Sequence, residues 1–204
     1  MRVRESLKHY IRDWSVDVLR AVDIDARAGQ RVLVPGAGLG RRGWEIPELG
    51  FLETTAVELS FLMNLEALFR SIRLLDVVPR LSSALKLLEA DFLTLKTPPA
   101  PIIDFLPVPG HDFIVTLFFI DISLSILTTL EHIYYLLRPG GTWINPGPLL
   151  WTAASGGQSK LELRLQVVLQ TVEELGFIID PPEDGQRTTT VECEYTGDAQ
   201  AMMR

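Results

Sequence analysis

The chain reads as a doubly wound α/β fold, a mainly parallel sheet with helices on both faces. Three observations carry that reading. Short apolar or β-branched runs such as Arg31–Pro35 (RVLVP) end abruptly at glycine, as strands buried on both faces do. Longer segments with apolar residues at helical spacing stand between those runs. A length of 204 residues with 47% hydrophobic side chains suits one domain with a sizeable core. Strand–helix alternation at this spacing calls for right-handed crossovers between parallel strands.

The elements follow in order. From Ser6 to Val22 the residues Leu7, Tyr10, Ile11, Trp14, Val18 and Leu19 recur at helical spacing, which predicts a helix ahead of the first strand. Arg31–Pro35 is that strand, and Gly36–Leu49 passes from loop into helix. Thr54–Leu59 is a second strand, followed by a long apolar helix over Phe61–Leu75. Ala84–Ala90 holds a third strand leading into Asp91-Phe92. After the proline-rich connection Pro98–Pro109 comes the clearest strand, Phe113–Ile120. Ile126–Leu137 is a helix, stopped by Arg138-Pro139-Gly140-Gly141 because proline and glycine do not continue one. Thr142–Asn145 is the next strand, and Lys160–Leu175 an amphipathic helix stopped by Gly176. Phe177–Ile179 and Thr188–Tyr195 are weaker strands.

Composition excludes several classes. A mean hydropathy of +0.20 and 22% charged residues are not those of a disordered chain. Nineteen Lys and Arg against 26 Asp and Glu give a net charge of −7, which removes the electrostatic reason to expect a nucleic-acid partner. The lone Cys193 has no intramolecular partner, as in a reducing compartment, and the spacing of His9, His111 and His132 resembles no zinc site. Met1–Arg20 is too evenly charged for a signal peptide, and the greasy stretch Phe113–Leu130 is interrupted by Asp121. The expectation is a soluble cytoplasmic protein with no membrane partner, the nucleus left open.

In doubly wound sheets ligands bind beyond the carboxyl ends of the strands, so the residues just after each strand matter most. After the first stands Pro35-Gly36-Ala37-Gly38-Leu39-Gly40-Arg41. Its glycines permit a sharp turn and close approach by a ligand, and the helix that follows offers free N–H groups; a loop that merely reverses the chain also uses glycine. Glu58, after the second strand, can accept both hydroxyls of a ribose, or it is a strand-end charge ahead of a helix. Asp91 can accept from an adenine amino group, with Phe92 supplying backbone and an apolar wall; the alternative is a cap or turn aspartate. Gly38-Leu39-Gly40-Arg41-Arg42-Gly43 also fits the dinucleotide pattern of a nicotinamide dehydrogenase, but that register begins late, with its glycines inside the helix. The tight glycine turn, the acidic second strand end and the Asp-Phe pair together favour S-adenosylmethionine.

Val32–Glu45 (VLVPGAGLGRRGWE), Phe118–Asp121 (FFID) and Leu137–Leu150 (LRPGGTWINPGPLL) resemble the carnosine N-methyltransferase family. Arg12-Asp13-Trp14-Ser15 is similar to the short helical segment ahead of that family's core, and the resemblance runs from about Leu7 to Gly176, with a weaker echo to Met203. It implies a Rossmann-like class I methyltransferase with an N-terminal helical segment (1–30), an S-adenosylmethionine-binding core (31–180) and a shortened C-terminal strand region (181–204). The implied reaction is methyl transfer from S-adenosylmethionine to an imidazole nitrogen of a histidine-containing dipeptide or a similar small amine or imidazole. The resemblance assigns Arg12 to the carboxylate end of the cofactor, and Gly36, Gly38, Gly40, Glu58, Asp91 and Phe92 to the roles above. Asp121 would face the substrate, with Phe118 in the same pocket. A carboxylate there can hold one ring N–H or a substrate ammonium, leaving the other nitrogen neutral and nucleophilic.

The chain departs from the family at three places. After FFID the family has Thr-Ala-His-Asn, and this chain Ile122-Ser123-Leu124-Ser125. After GPLL the family has Tyr-His, and this chain Trp151-Thr152, which puts Thr152 at a substrate-contacting histidine's position. The family's tyrosine-rich closing strand follows Met-Met, where this sequence ends Met202-Met203-Arg204. The expectation is a sheet lacking its last strand, with an open edge that invites a homodimer. Two explanations follow, a changed substrate or a non-catalytic S-adenosylmethionine-binding protein. Among smaller features, Trp44, Trp143 and Trp151 are expected as core or pocket-wall aromatics and His132 as a boundary residue. His111 is weighed as able to reach the strand ends, Asp121 as a helix N-cap, and Pro181-Pro182-Glu183-Asp184 as a solvated loop.

Overall fold

The computed structural model describes residues 11–38, 41–64, 83–99, 108–146, 149 and 163–179. Among the described residues five strands, β1 (Arg31–Pro35), β2 (Glu53–Glu58), β3 (Leu85–Glu89), β4 (His111–Val115) and β5 (Leu137–Ile144), form one sheet in the order β3-β2-β1-β4-β5. Every pair is parallel. β1 lies at the centre, which explains its unbroken apolar run: Val32, Leu33 and Val34 are at most 2% exposed. The pleat still sorts them by face. Leu33 and Ile114 pack with Val57, Phe92 and the helix α4 (Ile126–Leu136). Val32, Val34, Phe113 and Val115 pack on the other face with Leu19 of α1 (Ile11–Ala21), Ile46 and Phe51.

The helices cover these faces by their periodicity. In α4, Ile126, Leu130 and Ile133 recur on one side and are buried against the sheet. Val168 and Val172 of α5 (Leu165–Glu174) add to the same cluster, and Gly176 ends that helix at φ +104°. A short helix α2 (Ile24–Arg27), absent from the sequence reading, is capped by Asp23, which accepts the N–H groups of Asp25 and Ala26. Arg27 then donates to the carbonyls of Val22 and Leu49, each at 2.9 Å, tying the N-terminal helices to the turn before β2.

The chain leaves β1 for β2 and β3 on one side, then returns to place β4 and β5 on the other. The direction of progress reverses between β1 and β4, and the crevice outside their carboxyl ends is where such sheets bind ligands.

Several expected boundaries shift. β4 ends at Val115 rather than Ile120, because Phe118 turns at φ +51° and Ile120–Ile122 forms a 3₁₀ turn. Phe119 and Ile120 join the core from that turn, so their apolar character reflects burial and not strand pairing. The helix does stop before Arg138, at Leu136, yet Arg138–Gly141 lies within β5, as the irregular stretch between Leu137, which pairs with His111, and Thr142, which pairs with Phe113. A proline is tolerated where the ladder is irregular. Phe177–Ile179 forms no strand; Phe177 packs on Tyr134 and Trp143 instead. Residues 61–64 are helical, while the remainder of that expected helix, the start of the first one, Trp151, the strand Thr188–Tyr195 with the closing-strand expectation, and the Pro181–Asp184 loop lie outside the described residues.

His111 opens β4 at the amino-terminal end of the sheet, so the reach to the carboxyl ends weighed for it as the lesser possibility does not occur. It is 5% exposed, beside Asp112, whose Oδ2 accepts the Arg31 N–H at 2.7 Å and whose Oδ1 lies 2.6 Å from the Arg138 guanidinium. Burial is the main reason its imidazole titrates at about 4, with Glu53 opposing and Arg31 reinforcing the shift. Because the folded state resists protonation, this contribution to stability is full above the unfolded value near 6.5 and is lost as pH falls toward 4. It amounts to about 3 kcal/mol. Burial pushes Asp112 up, which acts in the opposite sense. Thermal unfolding of wild type and His111→Gln between neutral pH and pH near 4 isolates the imidazole: the wild type should lose more stability on acidification, and parallel curves would remove His111 as the cause.

Candidate functional site

The glycine turn after β1 is built by the strand beside it. Gly36 and Gly38 take φ of +61° and +55°, the left-handed region that glycine enters without penalty. The Ala37 N–H donates to the Val57 carbonyl at 2.9 Å, and the Gly38 N–H donates to Glu58 Oε2 at 2.9 Å. Glu58 Oε1 accepts the Ser60 N–H, also at 2.9 Å, and Asn64 Nδ2 donates to the Glu58 carbonyl. One carboxylate thus joins the loop after β1 to the turn after β2 by charge-assisted hydrogen bonds. Of the dinucleotide-type register, whose glycines were expected inside the helix, Gly43 lies in the short helix α3 (Arg41–Glu45), whereas Gly38 stands in the turn ahead of it.

The turn after β4 closes over the same loop. A Cβ on Gly36 would stand 2.5 Å from the Phe119 ring, whereas at Gly38, among the described residues and leaving out its chain neighbours, no atom lies within 4 Å of that position. Phe119 meets Phe92 edge-on at 5.2 Å, and Phe92 meets His132 at 4.9 Å. An aromatic chain therefore connects the ends of β1, β3 and β4 to α4. Phe92 is 6% exposed, its ring in the core. His132 is the expected boundary residue, and burial lowers its pKa. Asp91 is exposed and accepts the Leu93 N–H at 2.9 Å, as the cap of the 3₁₀ turn Phe92–Thr94.

Phe118 is the one non-glycine residue with positive φ among the described residues, a strained backbone that packing must hold in place. Asp121 follows in the 3₁₀ turn and is 2% exposed. It is not the cap of α4: Ser125 is, with its hydroxyl accepting the Thr128 N–H. The N-cap alternative for Asp121 is therefore corrected.

Sequence reasoning missed a polar group at the ends of β4 and β5. Trp143 Nε1 donates to Thr116 Oγ1 at 2.8 Å, and Thr116 Oγ1 donates to Asn145 Oδ1 at 2.7 Å. Thr116 is 0% exposed. A polar residue interrupting an apolar run at a strand end was the available signal. Trp44 is buried in the core, and Trp143 packs on Phe177. Phe119 was also missed, although it stands inside a motif read for its neighbours.

Gly36, Gly38, Glu58, Asp91, Phe92, Phe118 and Asp121 thus all lie at or after the carboxyl ends of β1 to β4. Gly40 and Thr152 are outside the described residues, and of Arg12 only its place in the backbone of α1 is described. Among the described residues no cluster of three or more His, Cys, Asp or Glu is arranged for a metal, and no helix is long and apolar enough to cross a membrane.

A family model described as carnosine N-methyltransferase matches residues 69–204. The chain is 30% identical over 184 residues to the carnosine N-methyltransferase unmet of Drosophila melanogaster, covering 78% of this chain and 40% of that one. It is 26% identical over 249 residues to carnosine N-methyltransferase of Dictyostelium discoideum, covering 100% of this chain and 52% of that one. The chain thus spans about half the length of these curated relatives. Its fold matches the crystal structure of an S-adenosylmethionine-dependent methyltransferase from Mesorhizobium loti, with a TM-score of 0.57, 14% identity and 82% of each chain covered.

The two loop glycines separate backbone strain from crowding. Alanine at either costs about 1–2 kcal/mol through its positive φ, but only Gly36→Ala also drives a methyl into Phe119. Chemical denaturation should show Gly36→Ala destabilised more than Gly38→Ala by about 1–3 kcal/mol, with Phe119→Leu narrowing the gap. Equal losses would remove the Phe119 contact as a constraint.

Proposed function

As the chain belongs to the carnosine N-methyltransferase family, we propose that it transfers the methyl group of S-adenosylmethionine to an imidazole nitrogen of a histidine-containing dipeptide or similar small molecule. The observation that carries the cofactor half is the Glu58 carboxylate. Two of its roughly four lone-pair positions are used by Gly38 and Ser60, so the oxygens can still accept ribose hydroxyls. The open space beside Gly38 fits a ligand laid against the loop backbone.

In this reading Gly36, Gly38 and Gly40 form the turn against the cofactor, Arg12 meets its carboxylate, and Glu58 holds the ribose. Asp91 accepts from the adenine amino group beyond its own capping bond, and Phe92 supports that contact through its backbone. The bound cofactor supplies a methyl group on a positively charged sulfonium. The protein's part is to orient the acceptor in line and exclude water. Asp121 holds one ring N–H or the substrate ammonium, so that the other imidazole nitrogen stays neutral and attacks without first losing a proton. Phe118 and Thr152 shape the same pocket. The division into 1–30, 31–180 and 181–204, the homodimer and the cytoplasmic location belong to this proposal. The alternative, a cofactor-binding protein without catalysis, is favoured by the replacement of the family's histidine with Thr152.

Calorimetry with S-adenosylmethionine and with NAD, followed by mass spectrometry of carnosine after incubation with both protein and cofactor, tests the proposal. Binding of S-adenosylmethionine and addition of one methyl group are expected; binding of NAD alone overturns it, and cofactor binding with no methylated imidazole or amine leaves the non-catalytic alternative. Glu58→Ala should weaken cofactor binding by roughly 1–3 kcal/mol. Asp121→Asn should leave cofactor binding unchanged while slowing transfer by about 10²-fold; equal loss of both would give Asp121 a structural role instead.

A further inference from the structure

The Thr116 group has a chemical direction that follows from its members. Trp Nε1 is a donor only, so Thr116 Oγ1 accepts from Trp143. Thr116 is 0% exposed, so its own proton cannot go to solvent; Asn145 lies 2.7 Å away, the usual length of an O–H···O bond. The atom of Asn145 facing Thr116 is therefore the oxygen, and the carboxamide is held with its NH₂ turned away from Thr116. Asn145 is half-buried and directly follows β5, whose last residue Ile144 pairs with Val115 and accepts the Thr116 N–H. It stands at the same end of the sheet as Phe118 and Asp121.

We infer that Asn145 is a substrate-binding residue whose NH₂ donates to the carboxylate of a zwitterionic methyl acceptor, with Trp143 and Thr116 as positioning residues that fix its orientation. Asp121 and Asn145 then form complementary ends of one pocket: a carboxylate for the ring N–H or ammonium, and a neutral donor for the substrate's anionic end. A donor amide selects for an acceptor that carries an oxygen in this place, and a negative group there would select against it. The inference rests on the methyltransferase reading above.

Asn145→Asp tests it cleanly. The variant keeps an oxygen for the Thr116 hydroxyl, so the internal bond survives, but it replaces the NH₂ donors with a second oxygen and a negative charge. The probes are carnosine and its decarboxylated analogue β-alanylhistamine, which lacks only the carboxylate. For carnosine the KM should rise about tenfold or more, with kcat changed by less than about threefold; for β-alanylhistamine the KM should stay within about twofold. Trp143→Phe, which frees the Thr116 hydroxyl to rotate, should give the same carnosine-selective rise at smaller size, and it keeps the inference testable if the aspartate variant does not fold. A rise of equal size for both compounds, or none for either, overturns the inference while leaving the methyltransferase reading intact. A wild-type protein that methylates neither compound fails that reading and this inference together.

Discussion

The Glu58 carboxylate is the constraint on which the rest of the site depends. Its two oxygens take the N–H groups of Gly38 and Ser60, one from the loop after β1 and one from the turn after β2. Parallel pairing of β1 with β2 sets those two ends side by side, Pro35 opposite Val57. The glycine turn is thus shaped by a neighbouring strand and not by its own sequence alone. Removing the carboxylate would leave two backbone donors to find water, and the loop would lose its fixed position relative to the crevice.

The second layer of constraint comes from the other side of the switch point. Phe119 presses on Gly36 and on Phe92, so the turn after β4 cannot shift without disturbing the loop after β1. Phe118 takes a left-handed conformation directly ahead of that packed ring and the buried Ile120. Strain of this kind persists only where surrounding packing over-determines it, and it collects at binding sites. Here it falls beside Asp121, the residue proposed to hold the acceptor.

Much of this was legible in the sequence. The strands around Gly36, Glu58 and Asp91 were placed to within a residue or so, because each ends in a residue type with a local reason to be there. The turn at Phe118 was not, since an apolar run reads alike as strand or as buried turn until its neighbours are known. Phe119 and the Trp143–Thr116–Asn145 group were missed for a related reason. Their roles come from contacts between β4 and β5 or across to β1, which no local pattern encodes. The lesser possibility weighed for His111, a reach to the crevice, fails on direction: it begins β4, and the crevice lies at the other end. Asp121 was weighed as a cap because an apolar helix follows it, but Ser125 is nearer the first turn and takes that bond.

A crystal structure of the chain with S-adenosylhomocysteine tests the central claim most directly. The ribose hydroxyls should lie on Glu58 while its bonds to Gly38 and Ser60 persist and Phe119 stays over Gly36. A ligand bound elsewhere, or a Glu58 that releases the loop to reach the ribose, would contradict it.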